Sequence, residues 1–214
     1  MDVDGYTMWI TGGSLVLVAP QVSEPECRHA LAALHHAQSL ADGLMASRFE
    51  QYRRWYRAYR CALGRRGWRV SHSCQSVETA GSRTLLAPTQ PLLLWLGSQH
   101  ADLGDVLELG IDALAMNPQG LEQLARSALH ECRGTTRMVL ELGVLRPGAR
   151  LSLCSIALET CARPAADWLV APLAGQTLRG DLYFQGLMAE PAPELLDAGR
   201  DAFIRLPRAG HTLH

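Results

Sequence analysis

Two short histidine–cysteine clusters are the parts of the sequence with the strongest potential for chemistry. They are His72-Ser73-Cys74 and His130-Glu131-Cys132. A thiolate beside an imidazole can act as a nucleophile or as a metal ligand. Both uses need further partner residues, and neither cluster has such partners at a zinc-ligand or nucleophile spacing. A buried cysteine beside a polar strand or helix end is therefore the favoured interpretation of each cluster.

Other catalytic and cofactor-binding patterns are absent from the sequence. It contains no Gly-x-Ser-x-Gly motif and no glycine-rich loop placed to cradle a phosphate. All twenty basic residues are arginine, which excludes Schiff-base, P-loop and kinase-type lysines. The adjacent pair His35-His36 points in directions about 100° apart on a helix and cannot bind one metal from a single face. The sequence thus predicts a non-catalytic protein without cofactor or metal, and an enzyme of unknown class remains the third alternative.

The segment from Arg48 to Arg69 is strongly basic and aromatic. It holds eight arginines against the single acid Glu50, although the whole chain carries a net charge of −1. Aromatic rings and arginines together can bind nucleic acid by stacking and phosphate contact. Alternatively, the rings form a buried seam while the arginines meet an acidic protein surface or solvent. In both cases the partner-binding residues that we predict are Arg53, Arg54, Trp55, Arg57, Tyr59 and Arg60.

The N-terminal third of the chain carries clear hairpin and helix patterns. Residues 7–11 and 14–18 flank Gly12-Gly13, which tolerates the positive φ of a tight turn. Ser23-Glu24-Pro25-Glu26 then forms a capping box with proline in the first turn. No proline follows until after Leu63, so one helix of about 35 residues is predicted. Its apolar stripe changes phase near Met45, and the sequence leaves open whether it forms a coiled coil or lies across the protein's own sheet.

The rest of the chain alternates between helical and strand patterns. The segment 68–96 is left unassigned apart from a possible strand at its start. Helices are predicted from about Ser98 and from Asn117-Pro118, an N-cap followed by proline at the first helical position. Strands are predicted at 138–145, 150–158, 168–173 and 177–188 as an antiparallel meander, followed by a short helix at 191–201 and a strand at 202–206.

Together these elements predict an α+β fold in two parts. Residues 1–66 form an N-terminal hairpin and long helical arm, and residues 67–214 form a C-terminal α+β domain. The six cysteines lack a C-x-x-C pair, and no apolar stretch is long enough to cross a bilayer. A cytoplasmic protein with reduced cysteines and no membrane insertion is therefore expected.

The order of these elements is similar to that of the stator or regulator proteins of type III secretion ATPases, the flagellar FliH family and its injectisome counterparts. The similarity spans residues 16 to 160 and lies in the local patterns 85–97, 101–114, 121–129 and 137–142. It implies a cytoplasmic, non-catalytic homodimer. Its N-terminal part would meet the cytoplasmic ring of the secretion machine, and its C-terminal domain would hold the secretion ATPase.

Overall fold

A central eight-stranded sheet organises the protein. The computed structural model describes residues 2–45, 47–79 and 85–192. Its strands are β1 (Asp2–Val3), β2 (Tyr6–Thr11), β3 (Ser14–Val18), β4 (Trp68–Thr79), β5 (Leu85–Leu86), β6 (Leu129–Cys132), β7 (Thr135–Arg146), β8 (Arg150–Thr160), β9 (Leu173–Ala174) and β10 (Leu178–Pro191). The main sheet has the order β1-β2-β3-β7-β8-β10-β4, with β6 beside β7, while β5 and β9 form a separate pair. Every described pairing is antiparallel except β3 with β7.

Helices cover both faces of this sheet. They are α1 (Glu24–Leu44), α2 (Tyr52–Arg65), α3 (Gln90–Gln99), α4 (Gly104–Ala115) and α5 (Pro118–Ala128). Helices α1 and α2 contribute to the core on one face, and α3, α4 and α5 contribute to the core on the other. Strands β7 and β8 are buried on both sides, which explains why they appear in the sequence as nearly continuous apolar runs. The α+β fold class is confirmed.

The predicted hairpin and helix start are confirmed. Strands β2 and β3 pair across a turn in which Gly12 has φ 56°. Ser23 caps α1, and both hydrogen bonds of the capping box with Glu26 are present. Asn117 likewise caps α5 by accepting a hydrogen bond from the Gly120 N–H at 3.1 Å. Local hydrogen-bonding chemistry is enough to place these boundaries.

The prediction of one helix of about 35 residues is wrong. Helix α1 ends at Leu44 and α2 begins at Tyr52, close to the change of phase at Met45. The break lets both helices lay their apolar sides on the sheet, and the alanine-rich stripe of α1 packs there closely because its side chains are small. Helices α1 and α2 thus lie on the protein's own sheet, and nothing in the described part of the chain supports a coiled coil.

One sheet crosses the predicted division between residues 66 and 67. Strand β3 from the predicted arm pairs with β7 from the predicted C-terminal domain, from Ser14 opposite Glu141 to Val18 opposite Leu145. Both cores contain residues from both sides of this division. The arm is therefore part of the layered fold.

Most of the elements predicted after residue 67 are present in the structure. Strands β7, β8 and β10 form the predicted meander, and α4 and α5 confirm the helix pair. The strand predicted at 168–173 is wrong, because residues 167–170 form turns and only Leu173 and Ala174 are extended. The unassigned segment contains β4, which lies at one edge of the sheet, and the start of α3. The helix predicted at 191–201 lies outside the described residues from position 193 onward, and the strand predicted at 202–206 lies wholly outside them.

Candidate functional site

Helix α2 separates its rings from its arginines. Its buried side chains are Tyr52, Trp55, Tyr56, Tyr59, Ala62 and Leu63, all facing the sheet. Trp55 is 2% exposed and Tyr59 is 0% exposed. Arg53, Arg54, Arg57 and Arg60 lie on the opposite side, within about 120° of the helix circumference, and we call them the arginine face. A partner could therefore reach the four predicted arginines but not the two predicted rings.

A polar contact holds the start of α2 against the end of α1. The Arg48 guanidinium forms an ion pair with Asp42 and lies 4.8 Å from the centroid of the Trp55 ring. The Trp55 indole N–H donates to the same Asp42 carboxylate at 2.8 Å. Arg48 is buried and forms an ion pair with Asp42, so it does not belong to the arginine face.

The arginine face is not neutralised by acids. Helix α2 contains no Asp or Glu, and among the described residues no ion pair involves Arg53, Arg54, Arg57 or Arg60. Among the described residues, the Arg54 guanidinium donates to the Gln51 side-chain oxygen at 3.1 Å. The four side chains span about 10 Å along the helix. The result is a compact positive surface on a protein with a net charge of −1.

A cavity of about 330 Å³ opens beneath the start of α2. Its floor is a row of cross-strand neighbours, Val139 on β7, Ala157 on β8 and Tyr183 on β10. The next row outward is Arg137, Glu159 and Arg179, and residues 51–54 form the roof. Because Arg53, Arg54, Arg137 and Arg179 surround it, we call this space the arginine-rimmed cavity.

The charges in the arginine-rimmed cavity are partly paired. Arg137 donates to Glu159 at 2.8 Å and lies 4.0 Å from Glu50. The hydrogen bond to Glu159 raises the pKa of the Arg137 guanidinium. Asp181 accepts a hydrogen bond from the Tyr183 hydroxyl at 3.2 Å.

A buried polar row crosses the sheet below α1 and α2. It consists of the cross-strand neighbours Ser14, Glu141, Ser155 and Gln185, each at most 7% exposed. The Ser14 and Tyr59 hydroxyls both donate to Glu141, at 2.6 and 3.0 Å.

Helix α1 contributes to the same row through Gln38. Its amide group donates to the Ser14 hydroxyl at 2.5 Å. Burial raises the pKa of Glu141 to about 7, although the hydrogen bonds from Ser14 and Tyr59 oppose this rise. Sequence analysis missed this residue, although a single acid inside the apolar run 138–145 was a visible signal.

A serine–histidine pair on the other face resembles a catalytic dyad in distance alone. The His100 Nε2 lies 2.9 Å from the Ser152 hydroxyl, beside a cavity of about 600 Å³. Arg146, which pairs with Asp102 at 2.9 Å, lies 3.2 Å from His100 Nδ1. Arginine can only donate, so Nδ1 accepts and Nε2 carries the proton. This tautomer donates to Ser152 and cannot remove its proton, so the geometry does not favour a nucleophilic serine.

The two histidine–cysteine clusters lie on strands β4 and β6, and neither lines the arginine-rimmed cavity. His72 lies exposed on the edge strand β4, and His130 on β6 stacks on Phe49 with ring centroids 5.3 Å apart. Cys132 is exposed and Cys74 is half-buried. Within residues 2–45, 47–79 and 85–192, no three His, Cys, Asp or Glu side chains are grouped closely enough to hold a metal ion.

Three solved structures are similar to the chain at low sequence identity. A delta-endotoxin is 11% identical with a TM-score of 0.47, over 87% of this chain and 86% of that chain. The activated Cyt2Ba monomer from Bacillus thuringiensis subsp. israelensis is 10% identical with a TM-score of 0.43, over 83% and 96%. The Evf virulence factor is 6% identical with a TM-score of 0.42, over 91% and 78%. No protein-family model and no curated protein matches the chain.

These comparisons correct the resemblance to secretion-ATPase stators, which is wrong. The three structures are a delta-endotoxin, an activated Cyt2Ba monomer and a virulence factor, and none is a regulator of a secretion ATPase. The predicted function as a stator-like scaffold is overturned with it. The implied partners, a secretion ATPase and a cytoplasmic ring protein, lose their support. No functional residue is transferred from the similar structures.

Proposed function

We propose that the protein binds anionic membrane surfaces peripherally through the arginine face of α2. The observation that carries this proposal is that Arg53, Arg54, Arg57 and the half-buried Arg60 share one side of a helix without a neutralising acid among the described residues. Clusters of four to eight basic residues on an amphipathic helix are typical of proteins that bind anionic lipids. None of the described helices has the length and apolar character needed to span a bilayer.

The character of the arginine face favours a lipid surface over other anionic partners. Its side chains are long, three of the four are exposed and Arg60 is half-buried, and no ion pair among the described residues holds them in a fixed geometry. A fluid layer of headgroups can adapt to such side chains, whereas a folded protein partner presents its acids at fixed positions. Nucleic-acid binding by stacking would need exposed rings, and the rings of α2 face the sheet.

The expected strength of binding is modest and dependent on salt. Each arginine near an anionic surface contributes about 1 kcal/mol. The contribution decays within a Debye length of about 8 Å at physiological ionic strength. Four arginines thus supply reversible binding that weakens as salt is added.

Vesicle sedimentation tests the proposal. The protein is mixed with phosphatidylcholine vesicles, with or without phosphatidylserine, at increasing salt. We expect binding only to the phosphatidylserine vesicles, and the double variant Arg57→Gln/Arg60→Gln should bind roughly thirty-fold more weakly. The control is Arg126→Gln on α5, in the opposite helical layer, whose arginine is 74% exposed. Release of an entrapped dye from the same vesicles would extend the proposal from surface binding to membrane disruption.

Two results would contradict membrane binding. One is equal binding to neutral and anionic vesicles. The other is an equal effect of the α2 and α5 substitutions, because the arginine face would then have no special part.

A further inference from the structure

We propose that the arginine-rimmed cavity binds the phosphate group of a small phosphate ester, with Arg53, Arg54 and Arg179 as its contacts. This inference rests on the proposed function for one point only, namely that the ester is the headgroup of a membrane lipid. The shared chemistry is a phosphate joined to a small organic group, whether it belongs to a lipid or to a free metabolite.

Three unpaired guanidinium groups carry the inference. Arg137 pairs with Glu159 and lies near Glu50, so these three side chains together carry a net charge of −1. Among the described residues, no ion pair involves the three remaining arginines of the rim. Asp181 is the remaining acid among the described lining residues, so four arginines against three acids leave a net charge of +1 around the cavity.

The three arginines approach the cavity from two different elements. Arg53 and Arg54 belong to the first turn of α2 in the roof, and Arg179 lies at the start of β10. One terminal nitrogen of Arg179 donates to the carbonyl oxygen of Gln176 at 3.2 Å. This contact restrains the side chain and leaves its other guanidinium N–H groups available. Guanidinium groups bind phosphate with two parallel hydrogen bonds, so groups on opposite sides of a cavity can enclose one phosphate.

The interior of the cavity suits the organic part of the ester. Its floor is formed by Val139 and Ala157, whose side chains are apolar, next to the ring of Tyr183. The volume of about 330 Å³ lies at the small end of the usual range for ligand pockets. The charged rim and the apolar floor therefore suit a ligand that places its phosphate at the rim and a short carbon chain on the floor.

The start of α2 adds a secondary contribution. The side chain of the N-cap residue Gln51 accepts no hydrogen bond from a backbone N–H of the first turn, and this turn holds no acid. Its backbone N–H groups therefore add to the positive potential under the roof.

Calorimetric titration with glycerol 3-phosphate at low salt tests the inference. This soluble probe has the phosphate and carbon skeleton of a phospholipid headgroup region without the acyl chains. We expect the protein to bind it, and Arg179→Gln to weaken binding about tenfold. The matched control is Arg65→Gln, which removes an exposed arginine near the end of α2 that belongs neither to the arginine face nor to the cavity lining and should leave binding unchanged. Both side chains are exposed, and circular dichroism verifies that both variants fold.

The outcomes separate this inference from the proposed function. Failure to bind glycerol 3-phosphate overturns the inference, even if vesicles are bound. An equal loss in Arg179→Gln and Arg65→Gln also overturns it, because the attraction would then be general. Binding of glycerol 3-phosphate without binding to vesicles supports the cavity and assigns its ligand to a soluble phosphate ester.

Discussion

The Tyr59 hydroxyl donates a hydrogen bond of 3.0 Å to the buried carboxyl group of Glu141. Tyr59 lies on the inner side of α2, and Glu141 lies in the middle of β7. The same helix carries the arginine face on its outer side, so this contact fixes the orientation of that face relative to the sheet. The stability of the buried polar row and the availability of the arginine face are thus linked through one helix.

Removing the Tyr59 hydroxyl should destabilise the protein. Tyr59→Phe leaves Glu141 buried with one donor fewer, which costs about 1–3 kcal/mol of the free energy of unfolding. Tyr56→Phe is the matched control, because the Tyr56 hydroxyl is buried on the same helix without a described hydrogen-bond partner. It should be neutral or slightly stabilising. Urea denaturation measures both, and equal losses would show that the contact with Glu141 has no particular value.

Glu141 should make the stability depend on pH. Burial raises its pKa from 4.5 to about 7, so between these values the folded protein holds a proton that the unfolded chain lacks. The free energy of unfolding must then fall as pH rises from about 4.5 to about 7, and the contribution levels off above that range. The whole change from this group is about 3 kcal/mol.

The variant Glu141→Gln isolates this contribution. It cannot titrate, so the difference in unfolding free energy between it and the native protein should vary across this pH range and be constant above it. Urea denaturation at a series of pH values gives this difference. A constant difference from pH 4.5 to 8 would show that Glu141 titrates normally.

The parts of the fold that sequence could predict are those fixed by local chemistry. Gly12-Gly13, the capping box at Ser23 and the Asn117-Pro118 pair each determine their boundary through a few neighbouring atoms. The end of α1 was not predicted, although the apolar stripe changes phase near Met45. Its cause is tertiary, because the ion pair of Arg48 with Asp42 and the contact with Trp55 form only when both helices lie on the sheet.

The candidate sites were predicted only in part for the same reason. The four arginines of the arginine face could be predicted from the local sequence, because they all lie on α2. The arginine-rimmed cavity needs Arg179, which is far from α2 along the chain and reaches it only through the pairing of β10 with β8. Glu141 meets Ser14, its partner in the parallel β3–β7 pair, across 127 residues of sequence. No spacing rule connects residues that far apart.

His100 should remain neutral at pH values where an ordinary histidine is charged. Burial lowers its pKa below 6.5, and the neighbouring Arg146 guanidinium lowers it further. Nuclear magnetic resonance of the imidazole nitrogens should find the proton on Nε2, and Arg146→Gln should raise the pKa. Arg150→Gln is the control and should raise it less, because Arg150 contributes less to the shift. A proton on Nδ1 would contradict the tautomer assigned from the Arg146 contact and reopen Ser152 as a nucleophile.

Gly12 should tolerate alanine less well than Gly5 does. Both have positive φ, 56° and 79°, so alanine is strained at either position by about 1–2 kcal/mol. At Gly12 an added Cβ also collides with the Gln38 side chain, whereas at Gly5 it meets nothing within 4 Å. Gln38 would have to move and would give up its hydrogen bonds to the Gly13 N–H and the Ser14 hydroxyl. Gly12→Ala should therefore lower the free energy of unfolding by at least about 1 kcal/mol more than Gly5→Ala in urea denaturation. Equal losses would mean that Gln38 can leave the polar row without cost, and the row would then not hold α1 to the sheet.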